Sequence, residues 1–194
     1  MNALSLARPR LAIALLLGLV MVATRYHHFG SAINLPDASL AVFFLIGLYL
    51  RPSLFLAGML VEAGLIDYFA ITAGGVSDFC VTPAYGFLIP TYGVMWFAGR
   101  WAAGRIQIRW QSLLPLFGAL FVASSIAFLI SNSAFYILSG RFPELSWMQY
   151  SERVARYYLP YVTSTFGYVA FAAFVHWACV MINQMRVLRS GRIG

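Results

Sequence analysis

Residues 113–138 read LLPLFGALFVASSIAFLISNSAFYIL, an apolar run without a charged side chain. Folded as a helix at ~1.5 Å per residue, such a run crosses the ~30 Å hydrocarbon core of a bilayer. Five more runs accompany it, at 11–29, 36–50, 53–72, 84–99 and 157–185. Each is near the ~20 residues a span requires, the second being short and the last long. The chain as a whole is 61% hydrophobic and 10% charged over 194 residues, with mean hydropathy +0.79. That is more apolar surface than a soluble core can hide. The expected fold is an all-α integral membrane protein, one domain over 1–194 with six transmembrane helices, whose segments 30–35, 73–83 and 139–156 lie on one side.

The charges orient it. All 13 basic residues are arginines. Arg8, Arg10, Arg51, Arg100, Arg105, Arg109, Arg186, Arg189 and Arg192 fall at the termini or in the even-numbered turns. Arg25, Arg141, Arg153 and Arg156 fall on the other side. By the positive-inside rule both termini are cytoplasmic and the loops 30–35, 73–83 and 139–156 are external. The net charge of +7 thus reads as membrane orientation and not as nucleic-acid binding. Arg8 and Arg10 ahead of a short apolar run resemble a secretory signal, but Met21 occupies the position before Ala23 that takes a small residue at a cleavage site. Retention as the first helix is therefore expected.

Several chemistries are excluded. Without lysine there is neither a phosphate-binding P-loop nor a Schiff base, so the chain binds no nucleotide by that route. No C-x-x-C, H-E-x-x-H or G-x-S-x-G occurs. Cys179 lies about 22 residues into the last span, ~33 Å from its outer end, whereas a disulfide needs Cα atoms within about 7 Å. Cys80 is then a free thiol on the external side, in the glycine- and proline-punctuated segment Gly74-Gly75-Val76-Ser77-Asp78-Phe79-Cys80-Val81-Thr82-Pro83-Ala84-Tyr85-Gly86. A thiolate is a soft metal donor.

The same side gathers Arg25, Tyr26, His27, His28, Asp67, Tyr68, Phe79, Tyr85 and Tyr92, with further aromatics from Phe142 to Tyr161. Interfacial tyrosines and tryptophans belt any membrane protein, yet with a thiol and imidazoles this set also describes a pocket for a large flat ligand. Asp67, near the outer end of its helix, is placed to hold Arg25, orient a histidine or accept a ligand amide. Glu62, near the midpoint, reads as a buried hydrogen-bonded group. His28 shares a helical face with Thr24 and Arg25, which favours it over His27. The pair His176 and Cys179 supplies too few ligands for a metal and reads as packing. The segment 139–156, charged at its ends and aromatic between, reads as a lid or an amphipathic connector. Ala14 and Gly18 form a small-x-x-x-small pair that suggests docking against another helix.

Six short helices, cytoplasmic termini, the Ala14–Gly18 motif and ligand-handling external loops resemble the substrate-binding S-components of energy-coupling factor (ECF) vitamin transporters. The cysteine in Asp78-Phe79-Cys80-Val81-Thr82-Pro83, with Tyr85 after it and His27-His28 before, is similar to the BtuM group of cobalamin transporters, and the resemblance spans essentially the whole chain. It implies uptake of cobalamin (vitamin B12) across a bacterial inner membrane, with the corrin cobalt bound by Cys80 in the base-off form. His28, His27, Asp67, Tyr85, Phe79 and Tyr68 would line the corrinoid. Donation from the thiolate should weaken the opposite axial bond, so labilisation or reductive removal of an upper cyanide is a further expectation. The partners implied are the lipid bilayer, an ECF transmembrane coupling protein docked around Ala14 and Gly18, and two ATPase subunits, although BtuM-group proteins are often encoded apart from such a module. The competing readings are an S-component for another vitamin, which needs no thiol, a membrane haem or copper redox protein using His27, His28, His176 and Cys80, and a membrane-embedded scaffold with no ligand.

Overall fold

The computed structural model describes residues 3–25, 35–50, 52–105 and 113–190. They form six α-helices: α1 (Ala3–Arg25), α2 (Ser39–Tyr49), α3 (Ser53–Thr72), α4 (Leu88–Ala103), α5 (Leu113–Leu138) and α6 (Trp147–Ser190). Two short 3-10 turns, Asp78–Cys80 and Pro83–Phe87, bridge α3 and α4, and the described residues contain no strand. Three helical stretches are long and apolar enough to cross a membrane: α3, α5 and the Trp147–Leu188 part of α6.

The centre of the bundle is α2. Eleven residues span only ~16 Å, and Ser39 through Gly47 are buried without a break. A helix apolar on every face has to be enclosed on every face. Its closest neighbour is α4, which it meets backbone to backbone. A Cβ on Gly47 would lie 2.1 Å from the Trp96 carbonyl oxygen, and one on Gly99 would lie 2.0 Å from that of Phe44. Glycine at both crossings is what allows the approach. Phe43, Phe44, Ile46, Met95, Leu120 and Met21 fill the surrounding core.

Ala14 and Gly18 are buried within the chain itself, and a Cβ on Gly18 would stand 2.8 Å from a Glu62 carboxylate oxygen. The small-residue row read from sequence as a partner-docking face is therefore occupied by α3. The spacing reported a close helix approach correctly, but spacing carries no information on whose helix approaches.

The last helix also differs from the sequence reading. Its start is Trp147, ten residues ahead of the apolar span at 157–185, so the non-helical connector is 139–146 rather than 139–156. Residues 147–156 are too polar to be found by counting apolar runs. What fixes the start is Tyr136 of α5, whose hydroxyl accepts from Ser146 N at 2.7 Å and lies 2.9 Å from Ser146 O and 3.2 Å from Gln149 Oε1. Ser146 and Gln149 stand at capping-box spacing, and a tyrosine from the neighbouring helix sits between the groups that would otherwise pair.

Candidate functional site

Arg25 closes α1 and is 9% exposed. Its guanidinium is engaged on every side. Nε donates to Asp67 Oδ1 at 2.7 Å and Nη2 to Asp67 Oδ2 at 2.6 Å, a bidentate fork. Nη1 donates to Ser39 Oγ at 3.0 Å and to Tyr92 Oη at 2.6 Å, with Asp37 Oδ2 at 3.5 Å. Ser39 donates from N and Oγ to Asp37 Oδ1 at 2.9 and 2.6 Å. Tyr92 is held by stacking on Phe43, with ring centroids 4.2 Å apart. Of the three roles open to Asp67 in the sequence, holding Arg25 is the one observed. Asp67 also accepts from Tyr85 Oη at 2.7 Å, which ties the Pro83–Phe87 turn to α3.

Cys80 ends the first 3-10 turn. Ser77 Oγ accepts from Phe79 N at 3.2 Å, and Val81 N donates to Asp78 O at 2.8 Å, so the turn is locally closed. The thiol is exposed, yet it lines a cavity of about 460 Å³, a volume in the range of small-molecule sites. Arg25, Asp37, Asp67, Tyr85 and Tyr92 form the polar wall; Phe135, Tyr157 and Tyr161 face it from α5 and α6. Crowding at the mouth raises the thiol pKa by desolvation, and the Asp67 charge adds to the rise; Arg141, Arg153 and Arg25 act in the opposite direction. The free protein therefore holds Cys80 as a thiol at neutral pH.

Three of the residues expected to meet do so: Cys80, Asp67 and Tyr85 all line the cavity. Phe79 does not. Its ring packs against Phe135 at 5.8 Å and under the Arg141 guanidinium at 4.6 Å, so it braces the rim from outside. Tyr68 also lies outside the lining, 60% exposed on the flank of α3 against Phe69. The expectations for His27 and His28 lie outside the described residues. His176 stacks on Tyr49 at 5.7 Å, away from the cavity, and Cys179 shares its face of α6. Among the described residues no three His, Cys, Asp or Glu side chains come together to hold a bare metal ion.

Sequence reasoning passed over Asp37 and Ser39, because Pro36-Asp37-Ala38-Ser39 opens what reads as the second apolar span. The Asp-x-Ser spacing, a common turn signal ahead of a helix, was the available clue. It also passed over Asn132, buried at 7% exposure in the middle of the clearest apolar run. No family model and no curated protein matches the chain.

Proposed function

We propose that the chain binds cobalamin and carries it across the bacterial inner membrane, with Cys80 Sγ as an axial ligand of the corrin cobalt. The six helices then form one membrane-embedded bundle with α2 enclosed inside it, and the nine-to-four arginine distribution favours cytoplasmic termini and an external Cys80 loop.

The observation that carries the reading is one soft donor at the mouth of a mostly apolar cavity with aromatic side chains in its wall. A bare metal ion needs three or four protein ligands. A cobalt that arrives inside its macrocycle brings its equatorial nitrogens with it and needs only an axial one. Cys80 supplies that donor, Tyr157, Tyr161 and Phe135 supply apolar surface for one face of the ring, and the Asp67–Arg25–Tyr85 network keeps the thiol loop in register with α1 and α3. Coordination takes a thiolate, so binding displaces the thiol proton to solvent. The lower nucleotide base is thereby replaced, which is the base-off form.

Donation from sulfur also weakens the bond on the opposite face of cobalt. An upper cyanide is then labilised, and an external reductant that lowers the cobalt oxidation state releases it as cyanide ion. Transport itself draws on partners, an ECF coupling protein with two ATPase subunits, that dock elsewhere than on the Ala14–Gly18 row. The test is equilibrium binding of cobalamin to the purified protein in nanodiscs: Cys80→Ser should weaken it at least tenfold, and equal affinities would remove the cobalt–sulfur assignment while leaving room for a vitamin that needs no thiol.

A further inference from the structure

Asn132 on α5 and Arg153 on α6 leave hydrogen-bond donors without acceptors at the Cys80 end of the bundle. Asn132 Oδ1 accepts from Arg153 Nε at 3.0 Å, which fixes the orientation of the amide. The amide nitrogen Nδ2 is then buried without any partner, in a side chain that is 7% exposed. Buried polar groups are almost always satisfied, so an orphaned amide nitrogen marks a missing acceptor. Arg153 is half-buried, and its terminal nitrogens also lack a protein acceptor among the described residues. Its plane is fixed by Phe135, Phe142 and Tyr157, at 5.0, 5.2 and 5.1 Å from the guanidinium carbon.

Charge is unbalanced there as well. No carboxylate among the described residues comes within ion-pair distance of Arg153 or of Arg141, although Asp78, Glu144 and Glu152 belong to the same end of the molecule. A neutral carbonyl would satisfy the hydrogen bonds and leave the charge; an anionic oxygen satisfies both. The position is informative too, since Phe135 and Tyr157, whose rings pack against Arg153, also line the cavity. The donors stand immediately behind its rim.

We propose that Asn132 and Arg153 form a subsite for a phosphodiester anion, separate from the cobalt-binding thiol. The proposal rests on the cobalamin reading for one of its two sources of phosphate, the nucleotide tail of the corrinoid. The other source is the headgroup of a bilayer phospholipid.

The experiment compares cobalamin with cobinamide, a corrinoid that lacks the nucleotide tail and its phosphate, and measures phospholipid retained by the detergent-purified protein. Variants are Arg153→Gln and Asn132→Asp; the second keeps an acceptor for Arg153 Nε but replaces the orphan donor with a negative charge. Melting temperatures identify any variant that has lost its fold, and either variant alone suffices. If the tail is the occupant, both variants weaken cobalamin about tenfold to a hundredfold and leave cobinamide within about twofold. If a lipid is the occupant, wild type retains phospholipid that both variants lose, with the two corrinoids bound alike. Parallel effects on both corrinoids with no change in lipid overturn the subsite. Failure of wild type to bind either corrinoid overturns the transport reading instead, and the lipid measurement then decides the subsite by itself.

Discussion

Arg25 and Asp67, the last residue of α1 and a residue of α3, are joined by two hydrogen bonds of 2.7 and 2.6 Å, and the same carboxylate takes the Tyr85 hydroxyl at 2.7 Å. The pair therefore couples helix packing to the turn that follows Cys80. With Arg25 9% exposed and the Asp67 side chain 23% exposed, removing Arg25 strands the Asp67 carboxylate, and removing Asp67 leaves the guanidinium no carboxylate among the described residues but Asp37, at the longer distance of 3.5 Å. Asp67→Ala and Arg25→Ala are each expected to cost about 3–5 kcal/mol, against under ~0.5 kcal/mol for the exposed Glu144→Gln. Unfolding in lipid nanodiscs measures all three, and equal costs would mean that the pair is ornamental.

Two glycines should respond very differently to one added methyl group. In Gly99→Ala the new carbon meets the Phe44 carbonyl oxygen at 2.0 Å, an atom held by its own helix. In Gly18→Ala it meets the tip of Glu62 at 2.8 Å, which can swing aside. The first is expected to lose about 3 kcal/mol or fail to fold, the second about 1 kcal/mol or less, and Glu62→Ala should recover most of the second loss. Thermal melts of the four proteins check this.

These positions mark what was legible in the sequence. Apolar runs locate helices well because a bilayer demands both length and apolarity, and α3 and α5 fall where the runs lie. Runs say little about a helix that begins in polar residues, which is why α6 starts ten residues early; the run at 36–50 locates α2 but not its enclosure by its neighbours. In the site, Cys80, Asp67 and Tyr85 stood out as unusual residues at a common depth. Asp37, Ser39 and Asn132 did not, because each is a small polar residue within an apolar context and acquires its meaning only from partners distant in sequence. Ala14 and Gly18 show the converse: a correct contact signal with the wrong contact inferred.

Tyr136 should control where α6 begins. Its hydroxyl is the common partner of Ser146 and Gln149. Tyr136→Phe is expected to cost about 1–2 kcal/mol and to speed amide hydrogen exchange over residues 146–150, with little change in the Trp147–Leu188 segment beyond its first turns. Unaltered exchange at 146–150 would mean that the helix start is set by its own sequence.

Cobalamin binding should depend on pH in a defined direction. Desolvation, followed by the Asp67 charge, raises the Cys80 thiol pKa, and coordination requires the thiolate. Below that pKa each unit of falling pH is expected to weaken binding about tenfold, because a proton is released on binding. Asp67→Asn removes a charge that raises the pKa, so the midpoint of the binding curve should move to lower pH; Arg141→Gln removes one that lowers it, and the midpoint should move up. A pH-independent affinity for cobinamide, which has no nucleotide base of its own to titrate, would contradict coordination by the thiol.

X-ray absorption at the cobalt edge of the cobalamin-loaded protein reads the proposed cobalt–sulfur bond directly. One sulfur is expected in the first coordination sphere of cobalt in wild type, absent in Cys80→Ala, together with a visible spectrum that changes on binding only when the thiol is present. A first sphere of nitrogen, oxygen and carbon alone in wild type would contradict it.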